Sequence, residues 1–229
     1  MLKILVVDDD IEILNLVSIY LSNEGYEIIK ATNGCEAISK INNEKPKLVI
    51  LDVMLPDIDG IEVCRKIREK LNVPIIILSA KVQNSDKIKG LLTGADDYIT
   101  KPFNQLEFIV RVKTLLRRTY LFDTRGNKDD LDDIVLGALT IKKSTHTVLI
   151  NNNEIILTAT EFEILKLLAI NKGRIFSAEE IFETVWEEKY FQSNNTVMVH
   201  ISNLRDKIER KLNGKKLIHT VWGVGYKIE

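Results

Sequence analysis

Three aspartates stand where short apolar runs stop. Asp8 and Asp9 follow the run ending at Val7, and Asp52 follows the run ending at Leu51. Ser79 and Lys101 close two further runs, Pro74 to Ser79 and Asp97 to Thr100. Three carboxylates sharing one cleft repel one another, and a divalent cation is the usual remedy. Mg²⁺ suits the set because it prefers oxygen ligands and keeps several waters, with Asp8 or Asp9, Asp52 and the Met54 backbone carbonyl as protein ligands. The Asp52 carboxylate is then placed to attack phosphorus in line. Lys101 would neutralise one phosphoryl oxygen, and the Ser79 hydroxyl would donate to another. Each residue alone has an ordinary explanation as a helix cap, a turn residue or a loop start. Their joint position after successive runs is what reads as a site.

The surrounding pattern supplies elements able to hold them. Apolar runs at Lys3–Val7, Glu27–Ala31, Lys47–Leu51, Pro74–Ser79 and Asp97–Thr100 read as strands. Segments of helical period lie between and after them, near Ile11–Ser22, Gly34–Asn42, Gly60–Leu71, Ser85–Leu92 and Asn104–Arg118. Five such units predict an α/β domain with a doubly wound, five-stranded parallel sheet. Its ligand crevice lies beyond the carboxyl ends of the strands, where the five residues above fall.

A chain of 229 residues is long enough for two cores. Periodicity lapses between Tyr120 and Asp133 into a polar, acidic stretch, so residues 1–119 and 134–229 are expected as domains and 120–133 as a linker. The second half is α+β in pattern. Strands are expected around Val135–Ile141, Thr147–Ile150 and Glu154–Leu157, helices from Thr160, Ala178 and Asn195, and a hairpin over Leu217–Ile228.

Composition excludes several classes. With 45% apolar and 28% charged residues, and no run near the ~18 apolar residues of a membrane span, a membrane protein is not expected. The N-terminus lacks the features of a signal peptide and reads as a first strand. Cys35 and Cys64 have no partner at metal-ligand spacing, so small buried thiols in a reducing cytosol are expected. The net charge of −1 conceals a basic surplus from Lys189 onward, which suits a polyanion partner.

Val6-Val7-Asp8-Asp9-Asp10, Leu51-Asp52-Val53-Met54-Leu55-Pro56-Asp57-Ile58-Asp59-Gly60 and Gly94-Ala95-Asp96-Asp97-Tyr98-Ile99-Thr100-Lys101-Pro102-Phe103 together resemble a two-component response regulator of the OmpR/PhoB type. The resemblance extends over essentially the whole chain. It implies a flavodoxin-like receiver followed by a winged helix-turn-helix, a transcription regulator instead of an enzyme. It further implies that a sensor histidine kinase phosphorylates Asp52 in the cytoplasm, with Asp8 and Asp9 as metal ligands and Asp9 the stronger candidate. A cis bond at Lys101-Pro102 is expected, Ser79 is expected to move toward the phosphoryl group, and Tyr98 is expected to rotate inward behind it. A phosphorylated homodimer is implied, with Lys87, Asp96, Asp97, Glu107, Arg111 and Arg118 as candidate intersubunit ion pairs. Promoter DNA and RNA polymerase complete the implied partners.

In the second half, Val197, Ile201, Leu204 and Ile208 fall on one helical face and should pack inward. Thr196, His200, Asn203 and Lys207 recur on another side, and with Ser202 and Arg205 they are candidates for base edges or phosphates in a major groove. This segment resembles the recognition helix of winged-helix regulators, and Thr220–Lys227 resembles their wing, with Trp222 or Lys227 as its contacts. Asn195, Met198, Asn203 and Trp222 make this reader less basic than many relatives, so binding is expected to rely on paired half-sites ~10 bp apart. Three rival readings fit the residues less well. A receiver that only dimerises, with Asp52 never phosphorylated, would not need the complete acceptor set. A Mg²⁺-dependent phosphohydrolase would need a second acid where Met54 stands, and a protein-binding adaptor would not need the helix-plus-wing pattern.

Overall fold

The computed structural model describes residues 1–80, 89–120, 133–188 and 195–229. The chain divides into two compact units, Met1–Leu116 and Arg117–Glu229. Most of the expected linker and the candidate Lys87 lie outside the described residues.

The first unit runs β1 (Lys3–Val7), α1 (Ile11–Asn23), β2 (Glu27–Ala31), α2 (Gly34–Glu44), β3 (Leu48–Leu51), α3 (Gly60–Arg68), β4 (Ile75–Ser79), β5 (Asp97–Thr100) and α4 (Gln105–Tyr120). Residues 89–92 are also helical. The strands form one parallel sheet in the order β2-β1-β3-β4-β5. Every residue of β3 and β4 is buried. Continuous apolar strands of this kind belong to parallel sheets covered on both faces, which is why they read as runs and not as alternation. Helix starts are fixed by short polar side chains: Asp10 accepts from the backbone N–H groups of Glu12 and Ile13, Asn33 from Glu36, and Asp59 from Ile61.

The second unit opens with an antiparallel meander, β6 (Ile134–Leu136), β7 (Leu139–Lys142), β8 (Thr147–Ile150) and β9 (Asn153–Ile155). The sequence predicts a single strand across Val135–Ile141, but Leu136 pairs with Leu139 around Gly137, whose φ of +60° permits the tight turn. Helices α5 (Ala159–Ile170), α6 (Ala178–Trp186) and α7 (Thr196–Glu209) follow, then the hairpin β10 (Ile218–Val221) and β11 (Gly225–Ile228). Reciprocal capping boxes, Thr158 with Glu161 and Ser177 with Glu180, start α5 and α6. Val197, Ile201, Leu204 and Ile208 enter the core as their spacing predicts. Gly225 lets the hairpin meet the backbone before α6, since a Cβ there would lie 2.0 Å from the Phe176 carbonyl oxygen.

Candidate functional site

Asp8 and Asp52 leave neighbouring strands at the same end of the sheet, because β1 pairs directly with β3. Both are buried and Asp9 is exposed, and carboxylate oxygens of the three lie within 4.8 Å of one another. One cation can therefore reach all three. The loop after β5 brings Lys101, whose Nζ donates to Asp8 Oδ2 at 2.6 Å and Asp52 Oδ2 at 3.1 Å. Its own backbone N–H donates to the Ser79 carbonyl at 2.8 Å, and the Lys101-Pro102 bond is cis, as expected.

The remaining carboxylate oxygens are also oriented. Asp52 Oδ1 accepts from the Val53 N–H at 2.7 Å, and Asp8 Oδ1 from the Asp10 N–H at 3.1 Å. Burial raises the Asp8 carboxyl above its ordinary pKa, against the opposing pull of Lys101. Burial also lowers the Lys101 ammonium, but Asp8 and Asp52 outweigh it and the net shift is upward. A buried carboxyl that resists ionisation, set beside two further carboxylates within reach of one cation, suits cation-assisted chemistry.

Gly60 sets the floor of the site. A Cβ at Gly60 would lie 1.9 Å from the Asp52 carbonyl oxygen, so only glycine lets α3 begin this close to the acceptor. Ser79 is fully buried and pairs in register with Thr100, beside Lys101. Met54 is exposed in the β3–α3 loop. Tyr98 is already inward at 3% exposure, and its ring passes so close to Gly90 that a Cβ there would lie 3.3 Å from Cδ2. The inward position expected of Tyr98 is the one its ring takes in this structure.

Several candidate intersubunit residues are engaged within the chain. Asp96 is fully buried, where its Oδ2 accepts from Arg68 at 2.9 Å and from the Ile75 N–H at 3.0 Å. It is thus a core ion pair and not a surface one. Arg68 completes that lock by donating to the Gly94 and Val73 carbonyls. Arg111 bridges Asp97 at 3.0 Å and Glu107 at 2.9 Å, and Arg118 is buried.

The recognition-helix candidates divide differently from the sequence expectation. Thr196, His200 and Asn203 are buried, and the His200 ring lies 5.7 Å from the Trp186 ring. Lys207 pairs with the buried Glu161 carboxylate at 2.6 Å. Arg205 donates to the Ile218 carbonyl and the Thr220 hydroxyl, tying α7 to β10. The stripe open to solvent is Asn195, Met198, Ser202, Asp206 and Arg210. At the hairpin tip Trp222 is 90% exposed, while Lys227 pairs with Glu229. The sequence did not disclose the roles of Asp57, Arg68 and Glu161; a capping-box spacing was the only signal, and it pointed to Glu161. Of the two cysteines, Cys64 is buried as expected, but Cys35 is exposed.

A doubly wound parallel sheet with three carboxylates and a lysine at its carboxyl edge, joined to a helix-and-hairpin unit, defines a phosphoryl-receiving switch coupled to an output domain. Residues 4–113 match the response regulator receiver domain, and residues 152–228 match the C-terminal domain of transcriptional regulatory proteins. The chain is 47% identical to the regulatory protein VanR of Enterococcus faecium, covering 99% of this chain and 98% of that one. It is 42% identical to the alkaline phosphatase synthesis transcriptional regulatory protein PhoP of Bacillus subtilis, covering 99% and 95%. Among solved structures it resembles DrrB, an OmpR/PhoB homologue of Thermotoga maritima, at 37% identity and a TM-score of 0.52, covering 100% and 99%. A RitR mutant gives a TM-score of 0.76 at 26% identity, with the same coverage. The chain belongs to the OmpR/PhoB family of two-component transcriptional response regulators. Membership implies a histidine kinase partner and DNA as the output ligand. Among the described residues no helix is long and apolar enough to cross a membrane.

Proposed function

We propose that Asp52 accepts a phosphoryl group from a sensor histidine kinase in the cytoplasm, and that the modified chain dimerises and binds paired promoter half-sites to alter transcription by RNA polymerase. The observation that supports this most directly is the Asp8–Asp9–Asp52 cluster with Lys101 bonded to two of its members. The donor set suits Mg²⁺: all oxygen, anionic, and partly open to water through exposed Asp9. Asp8, Asp9, Asp52 and the Met54 carbonyl would hold the ion, which supplies charge neutralisation where phosphate approaches.

The chain's own residues divide the remaining work. Asp52 offers Oδ2 as the nucleophile while Val53 holds Oδ1. Lys101, already between Asp8 and Asp52, can follow an incoming phosphoryl oxygen without leaving its pocket. Ser79, at the end of the adjacent strand, supplies a hydroxyl to the same crevice edge, and Tyr98 fills the interior behind it. Dimerisation would draw on Lys87, Asp97, Glu107 and Arg111, where the exposed Glu107 carboxylate is the group that could change partners at little net cost, since pairs at the surface contribute only about 0–1 kcal/mol, while the Asp97–Arg111 pair is largely buried. For the DNA contacts, Ser202 and Trp222 are the open candidates of the original set. Thr196, His200, Asn203, Arg205, Lys207 and Lys227 would join them only by exchanging their present surroundings for DNA.

The test is acetyl phosphate labelling with Mg²⁺, read on a phosphate-affinity gel, for the wild-type chain and Asp52→Ala. A shifted band in the wild type alone supports the reading; an equal shift in both places the acceptor elsewhere.

A further inference from the structure

Asp57 lies in the loop that connects the acceptor strand to α3, yet its carboxylate serves another element. Oδ1 accepts from the Gly34 N–H at 2.7 Å and Oδ2 from the Cys35 N–H at 2.9 Å, the first two donors of α2. Asn33 caps the same helix from within, accepting from Glu36 at 2.9 Å. Helix α2 therefore carries two caps, and only one of them is local. The second cap crosses from the β3–α3 loop, and its ionised form is held well below the usual carboxylate range by the Cys35 and Gly34 N–H groups.

The contact is tight on both sides. A Cβ at Gly34 would meet Val63 Cγ2 at 2.8 Å and the Ile58 carbonyl at 3.0 Å, so the loop rests directly on the first turn of α2. The loop's own ends close on Val53, whose carbonyl accepts from Leu55 at 3.1 Å and from Gly60 at 2.8 Å. Between these anchor points lies exposed Met54.

We infer that Asp57 is a positioning residue that latches the β3–α3 loop to the N-terminus of α2, and so holds the Met54 carbonyl and the Asp52 backbone in the arrangement a divalent cation needs. The inference rests on the reading of Asp52 as acceptor. Without the latch the loop samples more positions, and each ligand it carries must be ordered when the ion binds. Residues that orient ligands without touching the ion typically matter at about the 10- to 100-fold level in metal affinity.

The test uses the full chain with Asp57→Ala and Asp57→Asn, following Mg²⁺ affinity by titration calorimetry and acetyl phosphate labelling by gel. Circular dichroism and thermal melting report the fold. The inference predicts Mg²⁺ binding about tenfold weaker and slower labelling in Asp57→Ala. Asp57→Asn, which keeps one accepting oxygen, should fall between it and wild type and serves as the test if the alanine variant does not fold. A lowered melting temperature with unchanged Mg²⁺ affinity and labelling in both variants would reduce Asp57 to a helix cap and overturn the inference. Failure of the wild-type chain to bind Mg²⁺ or accept phosphate would instead remove the acceptor reading, and the latch with it.

Discussion

Lys101 binds Asp8 more closely than it binds Asp52, at 2.6 Å against 3.1 Å, although it is the Asp52 carboxylate that accepts phosphate in the proposed reaction. The ammonium is thus anchored on the residue that stays unmodified. From there it can turn toward Asp52 as charge builds on phosphate, with no large movement of its backbone.

The anchor has a cost in stability. Burial raises the Asp8 carboxyl, so its ionisation opposes folding as the pH rises above the unfolded-state value, with the full penalty present above the folded-state value. Asp8→Asn removes that charge and should stabilise the metal-free chain at neutral pH by about 0.5–2 kcal/mol, at the expense of cation binding. The sign reverses nowhere but the size changes: a raised pKa means the native penalty is absent below the unfolded value and grows as pH rises through the folded one. Chemical denaturation of both chains at pH 7 and at pH 4 checks this, with the gain expected to shrink in acid. A variant less stable than wild type at pH 7 would contradict it.

Gly60 is a steric requirement and not a flexible hinge. Gly60→Ala drives a methyl toward the Asp52 carbonyl, so the start of α3 must retreat from the acceptor. Overpacking of this kind is expected to destabilise the first unit by about 1–3 kcal/mol, with loss of labelling by acetyl phosphate. Denaturation midpoints and the labelling gel measure the two effects separately.

Arg205 holds α7 to the hairpin. Arg205→Ala removes its bonds to the Ile218 carbonyl and the Thr220 hydroxyl and should cost roughly 1.5–3 kcal/mol, the range for hydrogen bonds to charged groups. Thr220→Val, which removes a single acceptor, should cost less. Hydrogen exchange at β10 amides is the measurement, and unchanged protection in Arg205→Ala would contradict the assignment.

The two tryptophans make the hairpin observable. Trp186 is 2% exposed and Trp222 is 90% exposed, so acrylamide should quench two separable populations. DNA bound by the wing should protect the accessible population alone. Trp222→Ala should leave stability within about 0.5 kcal/mol of wild type while weakening DNA binding. Full accessibility of Trp222 in a saturated complex would place the DNA elsewhere.

The sheet and its acidic edge were legible in the sequence because the interior strands of a parallel sheet covered on both faces are apolar, so their ends are visible where polar residues begin. Asp8, Asp52, Ser79 and Lys101 each mark such an end. The outer face of α7 was less legible. Thr196, His200, Asn203 and Lys207 each precede a core position by one residue, which places them on the shoulder of the buried face, and polarity alone does not separate shoulder from exterior. Asp96 misled for a related reason. A carboxylate next to Asp97 reads as surface unless its partner is seen, and Arg68 arrives from a distant helix. The Asp57 latch joins a loop to the first turn of α2, and no periodicity in the sequence brings Gly34 to it.

The most direct test of the account is the affinity of the full chain for a DNA fragment enriched from genomic selection, measured by fluorescence anisotropy at fixed salt with and without beryllofluoride and Mg²⁺. Wild-type chain should bind about tenfold more tightly with the phosphoryl mimic, roughly 1.4 kcal/mol, and Asp52→Ala should show no gain. Equal tightening in both chains, or none in the wild type, would contradict a switch that works through Asp52.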